Sequence, residues 1–267
     1  MAHPSSSSRS AQVQSQPLAH FSAFRPLVRY VDDQQAVLEF HLKIDWPAAL
    51  HTAPEDGLAV ELLARDIQGQ HTRLMQKLSG VQGEGTVRFS IPDPMLWWPA
   101  GMGDQPLYDI TLRLMVHDEP ADIQTTTMGL SSVRAIDDVA GPSLLVHGRP
   151  CSIQQVVQIE PPDEKNILPA GAGSLMIVRH HYGSEALYEA ADRAGILLIQ
   201  AIPDPQAACD DSQSQLTMQE EVGRLTAHPS LAGWLIESAD SLAQKLTTQL
   251  SRLDPTRAIF HNLPGLN

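Results

Sequence analysis

The stretch His228-Pro229-Ser230-Leu231-Ala232-Gly233-Trp234-Leu235-Ile236-Glu237-Ser238-Ala239 decides the reading of this chain. A His-Pro-Ser turn leads into a run from Leu231 to Ile236 that contains no polar side chain. A strand with one wet face alternates; a strand covered on both faces reads as a near-continuous apolar run, the pattern of buried parallel strands. The same grammar recurs at Ile153–Ile159, Leu175–Val178 and Ile196–Ile202. Amphipathic helices are expected between these runs, over Glu185–Ala194, Ser214–Ala227 and Ser241–Leu253. The first closes on Gly195, a helix stop signal. Strand–helix alternation of this kind predicts a parallel α/β layer with right-handed crossovers.

Upstream of Gly141 the grammar differs. Leu38, Phe40, Leu42 and Ile44 fall on one face of an alternating run, and Thr86–Ile91 alternates up to Pro92. Leu58–Ala64 leads to a turn at Gln68-Gly69-Gln70, and Tyr108–Val116 is the longest alternating run. Short strands separated by turns, without a convincing helix, predict an antiparallel sandwich. The Ser- and Gln-rich start has no apolar periodicity and reads as a disordered tail. The predicted organisation is therefore residues 1–20 tail, 21–140 sandwich and 141–267 α/β layer.

Composition narrows the function classes. Acidic residues outnumber basic ones 31 to 18, a formal charge of −13, which repels a phosphate backbone; nucleic acid is not expected as a partner. No apolar run reaches the ~18 residues of a membrane helix, so no membrane partner is expected. The N-terminus shows no apolar secretory stretch, and a cytoplasmic location is the expectation. Cys151 and Cys209 do not make a disulfide framework; Cys151, in an apolar strand context, reads as a buried thiol. No cofactor and no metal are expected. Gly171-Ala172-Gly173-Ser174 precedes a strand, whereas a phosphate-binding loop follows one.

Several blocks, in order, resemble glycoside hydrolase family two, the β-galactosidases, β-glucuronidases and β-mannosidases. Pro92-Asp93-Pro94-Met95-Leu96-Trp97-Trp98-Pro99-Ala100-Gly101, followed by Gln105-Pro106-Leu107-Tyr108, is similar to the family's "NPxLWWPxGxGxQPLY" segment. Leu144-Leu145-Val146-His147-Gly148-Arg149-Pro150 resembles its barrel-opening strand and turn. Leu175–Gly183, with Arg179-His180-His181-Tyr182, resembles "NxIRxxHYP", and the run from Ser184 to Leu198 resembles "FYDLCDELGILV". Asp254-Pro255-Thr256-Arg257 matches "DPTRP". The resemblance covers about residue 25 onward. It implies a multidomain β plus α/β fold, an immunoglobulin-like β-sandwich followed by an incomplete (β/α) TIM-type barrel of strands one to five.

The resemblance also assigns chemistry. Retaining glycosidases use two carboxylates ~5–5.5 Å apart. Aligned on His-Pro-Ser and Trp234, the family's Asn-Glu acid/base pair falls on Ser238-Ala239, and its nucleophile lies on a seventh strand that the five-strand reading lacks. Glu237 is the weak substitute: two residues before Ala239 on a strand, it shares a face but starts ~6.6 Å deeper. Asp240 is expected to cap the next helix. Arg179 matches a residue that shapes the family's sugar pocket, with a strand-end salt bridge as the other reading; His181 is the second, weaker substrate-binding candidate. Trp234 is expected to pack between sheet and helices, and Trp97 and Trp98 to anchor the sandwich on the α/β layer.

The functional expectation is a degenerate family-two-like protein without hydrolytic activity and with a carbohydrate-related binding or structural role. The alternative is a fragment or subunit of a split β-glycosidase acting on O-glycosyl bonds. Five strands would also leave Ile177, Ile199 and Leu235 without an opposite wall, so self-association through the open half barrel is expected, in preference to a lid from Ile259-Phe260 and Leu263-Pro264.

Overall fold

The computed structural model describes residues 19–45, 58–78, 83–138, 141–160 and 173–261. The chain first forms β1 (His20–Val31), β2 (Gln35–Asp45), β3 (Leu58–Arg65), β4 (His71–Lys77), β5 (Glu84–Pro92), β6 (Tyr108–Val116) and β7 (Glu119–Met128). These make two antiparallel sheets, β1-β2-β5 and β4-β3-β6-β7. Alternation does the sorting: Leu38, Phe40, Leu42 and Ile44 of β2 meet Ile110, Leu112 and Leu114 of β6 in one core. Each such side chain contributes roughly 1.5–3 kcal/mol of burial. The predicted tail falls mostly on residues outside those described, but Ala19 is fully buried and His20 already opens β1.

Each sheet carries one buried glutamate on its central strand. Glu61 receives Arg73 and Arg113, the latter at 3.0 Å; Glu39 receives Arg88 at 2.5 Å and contacts His41 at 2.8 Å. The arginine stems roof the carboxylates, so charges that look solvent-facing in the sequence are enclosed.

After the sandwich comes a three-stranded antiparallel sheet, β10-β9-β8, made from β8 (Val133–Asp138), β9 (Gly141–Val146) and β10 (Arg149–Cys151). It corrects the reading of Leu144–Pro150 as a barrel-opening strand and turn: the segment is an antiparallel hairpin outside the parallel layer. His147 (φ 49°) and Gly148 (φ 75°) both take positive φ, the two-residue hairpin geometry, and fold the chain back on itself. The sequence boundary at residue 140 thus falls inside the β8–β9 ladder, which pairs Asp138 with Gly141. Cys151 is half-buried rather than buried, and burial pushes its thiol pKa up.

The parallel layer follows: β11 (Gln155–Ile159), β12 (Ser174–Val178), β13 (Leu197–Ala201), β14 (Leu231–Leu235) and β15 (Ala258–Phe260), hydrogen-bonded in sequential order. Between them run α1 (Glu185–Ala194), α2 (Pro205–Asp210), α3 (Ser212–Leu225) and α4 (Asp240–Leu253). α1 has the predicted bounds, with Ser184 Oγ accepting from Leu187 N–H and Gly195 left-handed at φ 70°. α2 was not foreseen; Asp204 caps it and Pro205 occupies its first turn. α4 corrects the Asp240 cap: Ala239, extended at ψ 151°, holds the cap position and makes no side-chain cap bond, and Asp240 is already helical. Among the described residues β11 has one sheet neighbour, and Val156 is 40% exposed although Ile159 is fully buried, so its apolar run is only partly covered.

Both faces of the inner parallel strands are covered. Met176, Val178, Leu198, Trp234 and Ile236 meet helix residues such as Leu187, Val222 and Leu246. Leu175, Ile177, Leu197, Ile199 and Leu235 meet Trp97, Val133, Leu144 and Val146. The face expected to lie open is closed by the bridging sheet and the Leu-Trp-Trp segment, and Ile177, Ile199 and Leu235 are at most 1% exposed. Phe260 adds to this face from β15, while Leu263-Pro264 lies outside the described residues.

Candidate functional site

The residues singled out for chemistry gather beyond the carboxyl ends of the parallel strands. Arg179, just past β12, donates from Nη2 to Glu237 Oε1 at 2.9 Å. Strand pairing ends at Leu235 and Phe260, so Glu237 lies beyond β14 at the rim, with its side chain 42% exposed. It is therefore not a deeper residue of the sheet interior, as a continued strand would have made it. Arg179 is less exposed, at 18%, and its Nε has no hydrogen-bond partner among the described residues. The strand-end ion pair expected as the other reading of Arg179 is present, and its partner is Glu237.

His180 and His181 are not strand residues. β12 ends at Val178, and His180 sits in a left-handed turn at φ 63°. The exposed His180 imidazole lies 3.8 Å from Glu160, while His181 Nδ1 donates to the Arg179 carbonyl at 2.7 Å. The two rings have separate partners. Gln200, buried on β13 and not foreseen as important, fixes the turn that carries them. Its amide oxygen accepts from Gly183 N–H at 3.0 Å and Tyr188 O–H at 3.1 Å, and its NH₂ donates to the His181 carbonyl at 2.8 Å. Ala239 presents only a methyl group, and Ser238 Oγ beside it is buried without a hydrogen-bond partner among the described residues.

A second polar cluster is far more enclosed, and sequence reading missed it. His228 Nδ1 lies 2.7 Å from Asp192 Oδ2, and Ser230 N–H donates to Asp192 Oδ1 at 3.0 Å. Trp97 Nε1 donates to the Asp192 carbonyl at 2.8 Å, locking the Leu-Trp-Trp segment onto α1. His228 Nε2 stands 3.4 Å from Glu185, close enough for an ion pair but not aligned as a hydrogen bond. Glu185 accepts from Arg224 at 3.0 Å. Burial alone would push His228 down; the contacts with Asp192 and Glu185 outweigh it and lift its pKa to about 9. The His228 contact, opposed by burial and aided by Arg224, holds Glu185 at about 2.

The remaining matched blocks are bound into the same scaffold. Trp234 packs among the helix-facing core as expected, and its Nε1 donates to buried Asp254 at 2.9 Å. Arg257 donates to the carbonyls of Leu231, Thr226 and His228 at 3.1–3.2 Å. Trp98 packs at 4.5 Å from the His147 ring, with the Arg149 guanidinium 5.0 Å over its face. No group of three or more metal-ligating side chains occurs among the described residues. No helix among them is long and apolar enough to cross a membrane.

The chain joins a sandwich through a bridging sheet to a parallel α/β layer, with charged groups at the strand ends. The family described as "Glycosyl hydrolases family 2" matches residues 29–130. β-Mannosidase B of Thermothelomyces thermophilus is 28% identical over 192 residues, covering 61% of this chain and 22% of the relative. Mouse β-glucuronidase is 27% identical over 212 residues, covering 68% of this chain and 31% of the relative. Among solved structures, the β-D-mannosidase of Dictyoglomus thermophilum superposes with a TM-score of 0.68 at 20% identity, over 91% of this chain and 34% of that one. A family 2 member from Bacteroides cellulosilyticus gives 0.69 at 18% identity, over 90% and 35%. The chain is thus similar to proteins of glycosyl hydrolase family 2. It spans 19–31% of the length of the first curated relatives that it matches.

Proposed function

We propose that this chain is a family 2-like protein without glycosidase activity of its own, with a carbohydrate-related binding or structural role. In this reading its two-sheet sandwich is immunoglobulin-like and its parallel layer corresponds to the first five strands of a TIM-type barrel. One observation carries the proposal: the position that the family resemblance gives to the proton donor is Ala239, a methyl group at the start of α4. The neighbouring carboxylate does not replace it. Glu237 accepts from Arg179 at 2.9 Å, whereas departure of a sugar oxygen requires an O–H donor. Arg179 and His181 remain the residues proposed to face a saccharide.

A second reading has its own support. The chain matches only part of each relative, and β11 and β15 each have one sheet neighbour among the described residues. In this reading the region acts within a longer β-glycosidase whose further strands complete the site. Self-association along those edges is a third arrangement, although the apolar face first expected to drive it is covered.

The test is release of nitrophenol from aryl β-galactoside, β-mannoside, β-glucuronide and β-glucosaminide. The expected result is a rate equal to the buffer blank. Turnover that Glu237→Gln abolishes would overturn the proposal and make Glu237 the acid. An antibody to the sandwich that detects only a species well above 29.1 kDa in source cells would support the longer glycosidase.

A further inference from the structure

A groove of about 1030 Å³ runs between the outer face of the β1-β2-β5 sheet and α3. Strand pairing sets Arg25, His41 and Thr86 side by side in one row of that face, with Ala23, Lys43 and Glu84 in the next. Opposite stands one stripe of α3: Leu216, Gln219, Glu220, Gly223 and Arg224 follow the three-and-four spacing of a single helix face. A Cβ added at Gly223 would stand 3.9 Å from Arg25 Cβ, so the glycine lets the helix come close to β1 beside Arg25. Neither Arg179 nor Glu237 lines this groove.

Arg25 is half-buried, and its side chain makes no ion pair or hydrogen bond among the described residues. Its Nε is enclosed without a partner, whereas neither Nη is enclosed, and the residue lines the groove. Burial pushes the guanidinium pKa down; Asp254 and Glu39 oppose this without pairing with it. Both acids are engaged elsewhere. Asp254 accepts from Trp234 Nε1 and the Thr256 hydroxyl, and Glu39 accepts from Arg88 at 2.5 Å. A charge taken out of water without a partner costs free energy, which an anion in the groove would offset. The other enclosed bases of the lining already have partners: Arg224 is held by Glu185, Glu221 and the Gly183 carbonyl, and His41 by Glu39.

We propose that this groove binds a saccharide carrying one carboxylate, with Arg25 as its anchor. A guanidinium offers a carboxylate two parallel N–H donors, and both Nη groups of Arg25 are uncommitted. Glu84 on the sheet side and Glu220 on the helix side are exposed, and they disfavour phosphates and polyacids, so the ligand carries a single negative charge. Thr125, Thr126 and Gln219 also line the groove, and their side chains make no hydrogen bond among the described residues. Hydroxyls and an amide both donate and accept, which suits a polyhydroxylated ring. The volume stands at the upper end of the ~300–1,000 Å³ of small-molecule pockets.

The experiment is isothermal titration of the full chain at constant ionic strength with galacturonate, galactose and acetate. Galacturonate should bind saturably, at least ~10-fold more tightly than galactose, which lacks the carboxylate, or acetate, which lacks the ring. Arg25→Gln should weaken that binding ~10-fold or more, as for loss of a charge-assisted pair. Arg134→Gln, which removes an exposed charge outside the groove, should not weaken it. Without ligand, Arg25→Gln should melt no lower than the parent, because it removes a charge that nothing in the fold pairs with. That readout separates loss of binding from loss of the fold. Arg179→Gln separates the groove from the strand ends. Absence of saturable binding, equal affinity for galactose or acetate, or an equal loss in Arg134→Gln would overturn the proposal. So would a lowered melting temperature in Arg25→Gln, or a loss of binding in Arg179→Gln that Arg25→Gln does not share.

Discussion

The cluster around His228 and the pair at Arg179 and Glu237 are built from the same residue types and behave oppositely. His228 and Asp192 are each about 5% exposed in their side chains, and Asp192 joins three segments by hydrogen bonds. Arg179 and Glu237 form one pair at a rim, the glutamate 42% exposed. Charges taken out of water must be matched or they destabilise strongly; charges at a rim are screened and contribute little. The residues that make this chain recognisable (the Leu-Trp-Trp segment, the His-Pro-Ser turn and Asp254–Arg257) sit in the enclosed kind of environment. They hold the units together. At the strand ends the Arg179–Glu237 pair stands partly in solvent, and Ala239 beside it carries only a methyl group.

Three changes sharpen that contrast. Of these three, the largest effect is expected at Gly195. A Cβ there would lie 2.5 Å from Ala100 N, which already donates to the Gly195 carbonyl, and the residue holds φ 70°. Gly195→Ala should cost ~2–3 kcal/mol in urea unfolding, since neither backbone can give way and the left-handed conformation is lost.

Next comes pH. His228 is raised in the fold to about 9 from 6.5, so its stabilisation is complete below 6.5 and is lost as pH rises through about 9. Glu185 is lowered to about 2 from 4.5, so its contribution is complete above 4.5 and is lost as pH falls toward 2. Both are intact between 4.5 and 6.5, where the melting temperature should peak. A His228→Gln variant should lose the alkaline decline; an unchanged alkaline limb would assign it to other groups. The smallest effect is expected for Glu237→Gln, within ~0.5 kcal/mol of the parent, as for an exposed pair.

The legible parts of the sequence were those where one local rule acted alone. Tyr108–Val116 became β6 with the bounds its alternation predicted, and Gly195 stopped α1 where a left-handed cap was read. β4 and β7 escaped notice because their half-exposed faces mix His, Thr, Gln and Asp with the apolar positions. β11 was read as buried because an apolar run does not say whether a strand lies at an edge. Leu144–Pro150 reads from the resemblance as a barrel-opening strand and turn, but the hairpin at His147-Gly148 is antiparallel and supplies the wall that five strands alone would lack.

At the site, Arg179 and Glu237 were each visible, but their pairing depends on the register between β12, β13 and β14. Asp192 looked like one more polar residue of an amphipathic helix. Its role is set by His228 and Trp97, which only the folded chain brings to it.

The most direct test compares the two clusters by urea unfolding at pH 6, with Asp192→Ala measured beside Glu237→Ala. Removing Asp192 leaves His228 buried without its hydrogen-bonded partner and should cost ~3–5 kcal/mol. Removing Glu237 should cost less than ~1 kcal/mol. Equal losses, or a larger loss at Glu237, would contradict the view that the recognisable residues of this chain are its scaffold.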